Sequence, residues 1–302
     1  IYIDKKGNLK ITNCNFTDNT VYNGNGGVIY AGTESNIEIH NSRFTDNTAT
    51  SEGGAVYGVT NSNLKIYNSY FDDNSGTSGG AVYGGNVTVV GSTFEDNAAT
   101  INGGGIIGNN LIVNNSKFIN NKAPNGGAVY GWSYLNVNNS TFIGNTATSG
   151  TGGCAILWHN NAIITESVFI NNTAPNGGAI IGHNTAKGKV INSTFTGNIA
   201  TSSGGASYML NQVNNDLTVI GSNFTNNAAP TGGAINGADG TIVGVSNSTF
   251  TGNTATVGGA INSQNSLNIN NSTFVDNIND INMKNGNVAN SNFTSTSQTV
   301  FN

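Results

Sequence analysis

The sequence predicts an all-β chain, wound as a single parallel β-helix of about 11–12 coils, and three observations predict it. Twelve of the thirteen phenylalanines fall in one motif, N-S-x-F-x-x-N or a near variant: Phe16, Phe44, Phe71, Phe94, Phe118, Phe142, Phe169, Phe195, Phe224, Phe250, Phe274 and Phe293. Between successive phenylalanines lies a second block, Gly-Gly followed by a small or branched residue, beginning at Gly26, Gly53, Gly79, Gly103, Gly126, Gly152, Gly177, Gly204, Gly232 and Gly258. Short stretches such as Leu64-Lys65-Ile66, Leu135-Asn136-Val137 and Leu267-Asn268-Ile269 alternate with strand periodicity. Gly, Asn, Ser and Thr interrupt them too often for a helix of ordinary length.

Each part of the repeat has a physical reason. A unit of about two dozen residues cannot bury its own apolar face, so it must stack on copies of itself. Each strand then pairs with its equivalent one coil above, ~4.8 Å away, and right-handed winding follows the general preference of parallel crossovers. In Ile37-Glu38-Ile39-His40-Asn41-Ser42-Arg43-Phe44, Ile37, Ile39 and Asn41 share one parity and Ser42 and Phe44 the other. A bend near Asn41 turns both sets inward. The residue two before each motif Phe is Ser, or Cys at Cys14, which marks a tight inward site. The phenylalanines are expected to stack in a central aromatic column, the bend asparagines to form amide ladders, and Gly-Gly to supply positive φ or close backbone approach. Asn follows three residues after every motif Phe except Phe293, where Thr296 stands. Residues 280–302 also lose Gly-Gly, so this end reads as a degenerating cap or a cut within the array. Cys14 and Cys154 lie about five coils or ~24 Å apart, too far for a disulfide. Both read as buried small side chains.

Composition excludes several classes. Only 8% of the 302 residues are charged, with a net charge of −5, against roughly a quarter in ordinary domains. Without clustered Lys and Arg, nucleic acid is not an expected partner. No apolar run reaches the ~18 residues of a spanning helix, so no membrane insertion by this segment is expected, and no signal peptide is visible. The schedule of apolar residues, with 36% of the chain hydrophobic, argues against disorder. The chain opens on Ile1-Tyr2-Ile3-Asp4; it is expected to be one repeat domain spanning 1–302 of a longer surface protein.

The alternation of G-G-A-[IVL] with F-x-x-N resembles the polymorphic outer-membrane protein repeat of chlamydial autotransporters, and the adhesin-like surface proteins of methanogenic archaea that carry long arrays of it. The best copies are Gly53-Gly54-Ala55-Val56 with Phe71-Asp72-Asp73-Asn74, and Gly258-Gly259-Ala260-Ile261 with Phe274-Val275-Asp276-Asn277. The high Asn and Thr content is closer to the archaeal set. The resemblance implies a secreted, surface-anchored β-helix used for attachment.

Candidate chemistry is sparse. Arg43 is the only arginine, and His40, His159 and His183 are the only histidines; no Ser/His/Asp, Cys/His or metal spacing emerges. The chain is therefore expected not to be an enzyme, although the same fold hosts polysaccharide lyases and hydrolases. Two residues after Phe, the first four coils carry Asp18, Asp46, Asp73 and Asp96. Stacked carboxylates could be bridged by Ca²⁺, the one cofactor considered; the alternative is a solvated polar edge suited to turns. Counting four residues past the residue after Gly-Gly gives Trp132, Trp158 and His183 in consecutive coils, with Tyr134 and His159 beside them. A stacked, exposed aromatic stripe suits sugar rings or apolar partner residues; the competing reading packs these rings under loops or on each other. Tyr30, Tyr57, Tyr83, Tyr130 and Tyr208 form a second candidate ladder. Sequons such as Asn139-Ser140-Thr141, Asn192-Ser193-Thr194 and Asn247-Ser248-Thr249 fit a glycosylated surface protein but also constitute the repeat itself. The leading expectation is an extracellular, cell-surface adhesin segment presenting a lateral face to a host or neighbouring-cell protein or glycan. A polysaccharide-active enzyme and a passive surface spacer are the alternatives.

Overall fold

A computed structural model of the chain describes residues 1–149, 155–210, 214–294 and 300–301. The described residues contain strands and turns and no helix, and all of the strand pairings are parallel. The chain is an all-β parallel solenoid. It falls into two compact units, Ile1–Thr148 and Ser149–Asn302, built on the same plan.

One coil of the first unit shows that plan. Strand Val82–Val90 forms the long first face, Thr93–Glu95 the second and Ala98–Asn102 the third. The three corners between them are Gly91, Asp96 and Gly103, with φ of +62°, +52° and +60°. That left-handed conformation costs Gly nothing and is tolerated by Asn and Asp, whose short polar side chains bond locally. The repeat is thus a triangle whose three vertices favour Gly, Asn or Asp, with Glu166 at φ +49° the exception at the first. At the last vertex, Gly79 takes φ +66°. A Cβ on the following Gly80 would sit 2.1 Å from the Gly104 carbonyl oxygen of the next coil. The Gly-Gly pair therefore supplies positive φ with its first member and close approach with its second.

Inside the first unit, Phe16, Phe44, Phe71, Phe94, Phe118 and Phe142 pair in register. From Phe44 onward their rings are parallel within 6°, with centroids 4.7–5.0 Å apart. Parallel rings at that spacing touch at ~3.5–4.0 Å only if they are offset, the arrangement that the ring quadrupole favours. The second unit repeats the column through Phe169, Phe195, Phe224, Phe250, Phe274 and Phe293.

The asparagines divide into two roles that the sequence does not separate. Asn41 and its equivalents Asn68, Asn115 and Asn139 sit at the bend with φ of 45–49° and face solvent or lie half-buried. The inward ladder is made by Asn47, Asn74, Asn97 and Asn121, all fully buried. Each Nδ2 donates to the Oδ1 of the next, at 2.9–3.0 Å, and to the carbonyl of the motif phenylalanine one coil earlier. The buried serines do similar work. Ser69 Oγ donates to the Tyr67 carbonyl and accepts the Ser42 N–H, so each hydroxyl ties its own bend to the coil before. Cys14, at the first of these positions, is a half-buried free thiol and not a fully buried one; Cys154 lies outside the described residues.

Candidate functional site

The coil is not equally constrained along its length. From each motif Phe to the next Gly-Gly the chain takes 8 to 10 residues, whereas from Gly-Gly to the next Phe it takes 15 to 20. The extra residues fall where the first face breaks into two half-strands, as at Val59–Asn61 and Thr33–Ser35. This irregular corner carries side chains that the repeat does not require.

In the first unit the corner forms a cleft of about 240 Å³ lined by Thr60, Tyr83, Gly84, Gly85, Ile107, Asn109 and Trp132. Its floor exists because this coil, like the next one through Ile106–Asn114, has almost no corner: Gly84-Gly85 runs directly into the second half-strand. A Cβ at Gly85 would lie 2.7 Å from the Asn61 backbone nitrogen, so the longer corner of the preceding coil closes over it as one wall. The other wall is Trp132, 42% exposed, which meets Tyr130 edge-on at 4.9 Å. Ser133 Oγ donates to Asn109 Oδ1 at 2.7 Å, which fixes the amide and leaves its NH₂ toward solvent. No acid or base other than the Tyr83 hydroxyl lines the cleft. Tyr134 is exposed but takes no part in it.

The exposed stripe expected through Trp132, Trp158 and His183 does not hold. Trp158 is 1% exposed. It pairs with Gly182, as Ile156 does with Ile180, so Ala155 is the equivalent of Ala179. One extra residue in that coil shifts the count by one, and a one-residue slip turns a strand side chain to the opposite face. The indole fills the space that Gly182 and Gly188 leave open, where Cβ atoms would stand 2.9 and 2.7 Å from the ring. The residue that takes Trp132's repeat position is His159.

In the second unit His159 and His183 lie with ring centroids 5.0 Å apart, joined by Asn184. Its Nδ2 donates to His159 Nδ1 at 2.5 Å, and its Oδ1 accepts from His183 Nδ1 at 3.0 Å. His159 is 8% exposed. Burial, and secondarily the neighbouring His183, pull its pKa down to about 4, so it stays neutral and structural at ordinary pH. The third face of this unit carries a shallow apolar groove of about 560 Å³ along Ile199, Ala228, Thr254 and Ile278; no charged group lines it.

Asp18, Asp46, Asp73 and Asp96 do line up, but their backbone explains them. All four have φ of 51–55°, and Asn120, Gly144, Asn171, Gly197, Asn226 and Gly252 take the same position with φ of 52–63°. The column is selected for a left-handed corner. Among the described residues no group of three or more His, Cys, Asp or Glu side chains is placed to hold a metal ion. The carboxylates instead repel. Asp73 has a pKa raised above 3.8, by burial first and then by Asp46 and Asp96. A raised carboxylate pKa means that the folded chain holds the proton more tightly than the unfolded one. The charge thus costs stability once the pH rises past that value, and the cost is absent in acid. Replacing Asp73 by Asn, which keeps the corner geometry, is expected to raise the melting temperature slightly at pH 7, by no more than ~0.5 kcal/mol equivalent, and to have no effect at pH 3. Scanning calorimetry at the two pH values checks this; a lower melting temperature at pH 7 would show that the carboxylate is stabilising.

Basic and acidic groups meet once more on the second face. Arg43 pairs with Asp72 at 2.9 Å and lies 4.3 Å over the Tyr70 ring, whose hydroxyl donates to Glu95. These groups satisfy one another and leave no reacting pair open.

A family described as right-handed β-helix region matches residues 1–174. The Chlamydia polymorphic membrane protein repeat matches residues 247–264, the stretch holding Phe250-Thr251-Gly252-Asn253 and Gly258-Gly259-Ala260-Ile261. No curated protein and no solved structure matches the chain.

Proposed function

The chain belongs to the right-handed β-helix family, and on that premise we propose that it is a non-catalytic adhesin segment, displayed outside the cell at its surface. It attaches to a protein or glycan of a host or neighbouring cell through the side of the coils that carries the irregular corners. One observation supports this above the rest: the corner after the first half-strand varies in length while the remainder of the coil repeats. In solenoids, such insertions gather on one face, often the binding face. The corners also hold the exposed Trp132 and Tyr134 and the half-buried His183, residue types that the repeat itself does not call for. Similarity to the chlamydial repeat supports a surface location, and the Asn- and Thr-rich composition suits the arrays of methanogenic archaea. With 8% charged residues, attachment depends on shape, aromatic anchors and avidity more than on electrostatic steering.

Beads coated with the chain, scored for attachment to a panel of cells, test the reading. The expected result is adhesion above bare beads to at least one cell type, reduced several-fold when Trp132, Tyr134 and His183 are all changed to Ala in a chain with unchanged circular dichroism. Adhesion no better than bare beads, or unaffected by the triple change, overturns it. Release of reducing or unsaturated sugars from polysaccharides would replace it with a catalytic role.

A further inference from the structure

Resting on the adhesin reading and deepening it, we propose that the Trp132 cleft is a binding site for a single neutral pyranose ring. The cleft has three features of such a site. Its volume of about 240 Å³ lies below the ~300–1,000 Å³ of sites for drug-sized ligands, and so takes one ring and not a chain. Its walls are the exposed indole of Trp132 and the half-buried ring of Tyr83, with the buried Ile107 beneath them; the indole is the surface that packs the C–H face of a sugar. Its polar groups are neutral and convergent. The Asn109 NH₂ is a donor whose orientation Ser133 has already fixed, the Thr60 hydroxyl donates or accepts, and the Tyr83 hydroxyl does the same.

Charge decides among sugars. No carboxylate, ammonium or guanidinium lines the cleft. A uronic or sialic acid would have to shed water from its carboxylate with nothing to replace it, which costs several kcal/mol. A neutral hexose or N-acetylhexosamine loses only hydroxyl hydration that Asn109 and Thr60 restore. The valley shape matters equally. The Gly84-Gly85 coil has no outward side chain there, so a ring can sink between the Thr60 corner and Trp132 and not merely rest on the indole.

The probes are the methyl glycosides of glucose, galactose, mannose and N-acetylglucosamine, with methyl glucuronoside as the anionic control. They are tested on the whole chain by saturation-transfer NMR and by tryptophan emission, in which Trp132 is the exposed reporter and Trp158 the buried one. The expected result is saturation transfer from at least one neutral glycoside at millimolar concentration, weaker or absent for the glucuronoside. Trp132→Ala is expected to abolish it, and Asn109→Ala, which leaves the aromatic wall intact, to weaken it about five- to tenfold. No transfer from any neutral glycoside at 20 mM, roughly the weak end of fragment-like affinities, overturns the site. So does binding that survives both changes, or a preference for the glucuronoside. Bead attachment of the Trp132→Ala chain separates the two proposals. Attachment lost without any sugar binding overturns the sugar site and leaves the adhesin reading standing. Sugar binding in a chain that attaches to no cell supports the site and overturns that reading.

Discussion

Changing Phe118 to Ala is expected to destabilise the first unit by about 3–5 kcal/mol, the usual cost of deleting a buried aromatic ring. The ring is fully buried and lies between Phe94 and Phe142, at 5.0 and 4.9 Å. Its loss removes two stacking contacts and opens a cavity that neighbouring coils cannot collapse into, because their spacing is fixed by strand pairing on three faces. The effect should be local first. In a solenoid each layer touches only the layers above and below, so amide exchange is expected to quicken most in the strands bearing Phe94 and Phe142 and little at Phe16. Urea unfolding and hydrogen exchange check both parts. A loss under about 1 kcal/mol would show that backbone pairing holds the layers without the aromatic column.

Changing Asn97 to Leu, which keeps the branch at Cγ but is bulkier and cannot hydrogen-bond, is expected to cost about 2–5 kcal/mol. Asn97 Oδ1 accepts the Asn74 backbone N–H and its Nδ2, and its own Nδ2 donates to the Phe71 carbonyl and to Asn121 Oδ1. Leu strands the Asn74 N–H without an acceptor and weakens three further groups, and a buried unsatisfied group costs roughly 1–3 kcal/mol. Asn97→Asp should be worse at neutral pH. It sets a carboxylate oxygen where an NH₂ faced two acceptors, and it buries a charge. Its folded-state pKa is raised, so its stability should recover as the pH falls and the carboxyl regains a proton to donate. Denaturation at pH 7 and pH 4 tests the pair. A Leu variant within about 0.5 kcal/mol of the parent would mean that the ladder does not stabilise the chain.

The residues that repeat in every layer were the readable ones. Phe, the Ser two before it and Gly-Gly each have one physical job, so recurrence alone revealed the parallel stack and its inward column. Asn was harder because two jobs call for the same residue: Asn41 is needed for its backbone conformation, Asn47 for its amide. The aspartate column looked like a ligand set until φ showed that Asp18, Asn120 and Gly144 are interchangeable answers to one corner. Trp158 is misplaced by counting from Gly-Gly because its register with Gly182 is one residue out from that count, and a one-residue shift changes the face that a strand position presents. Trp132 could be singled out as an unusual aromatic. Its companions Thr60, Tyr83 and Asn109 could not, since they come from different coils and meet only because the Gly84-Gly85 coil is short. The signal for them was present as the step from an 18-residue Gly-Gly-to-Phe interval at Gly53 to 15 residues at both Gly79 and Gly103.

The buried amide ladder has one further implication. From Asn47 to Asn121 and from Asn198 to Asn253 each rung offers the same donors in one direction and the same acceptors in the other, so along these runs each layer's amide is a fit partner for the next. Whole turns could be added, deleted or exchanged without leaving a mismatch in the ladder itself, whereas the Trp158 indole ties its coil to the glycines of the next. The decorations at the rim would then be free to diversify while the scaffold beneath them stays thermodynamically indifferent.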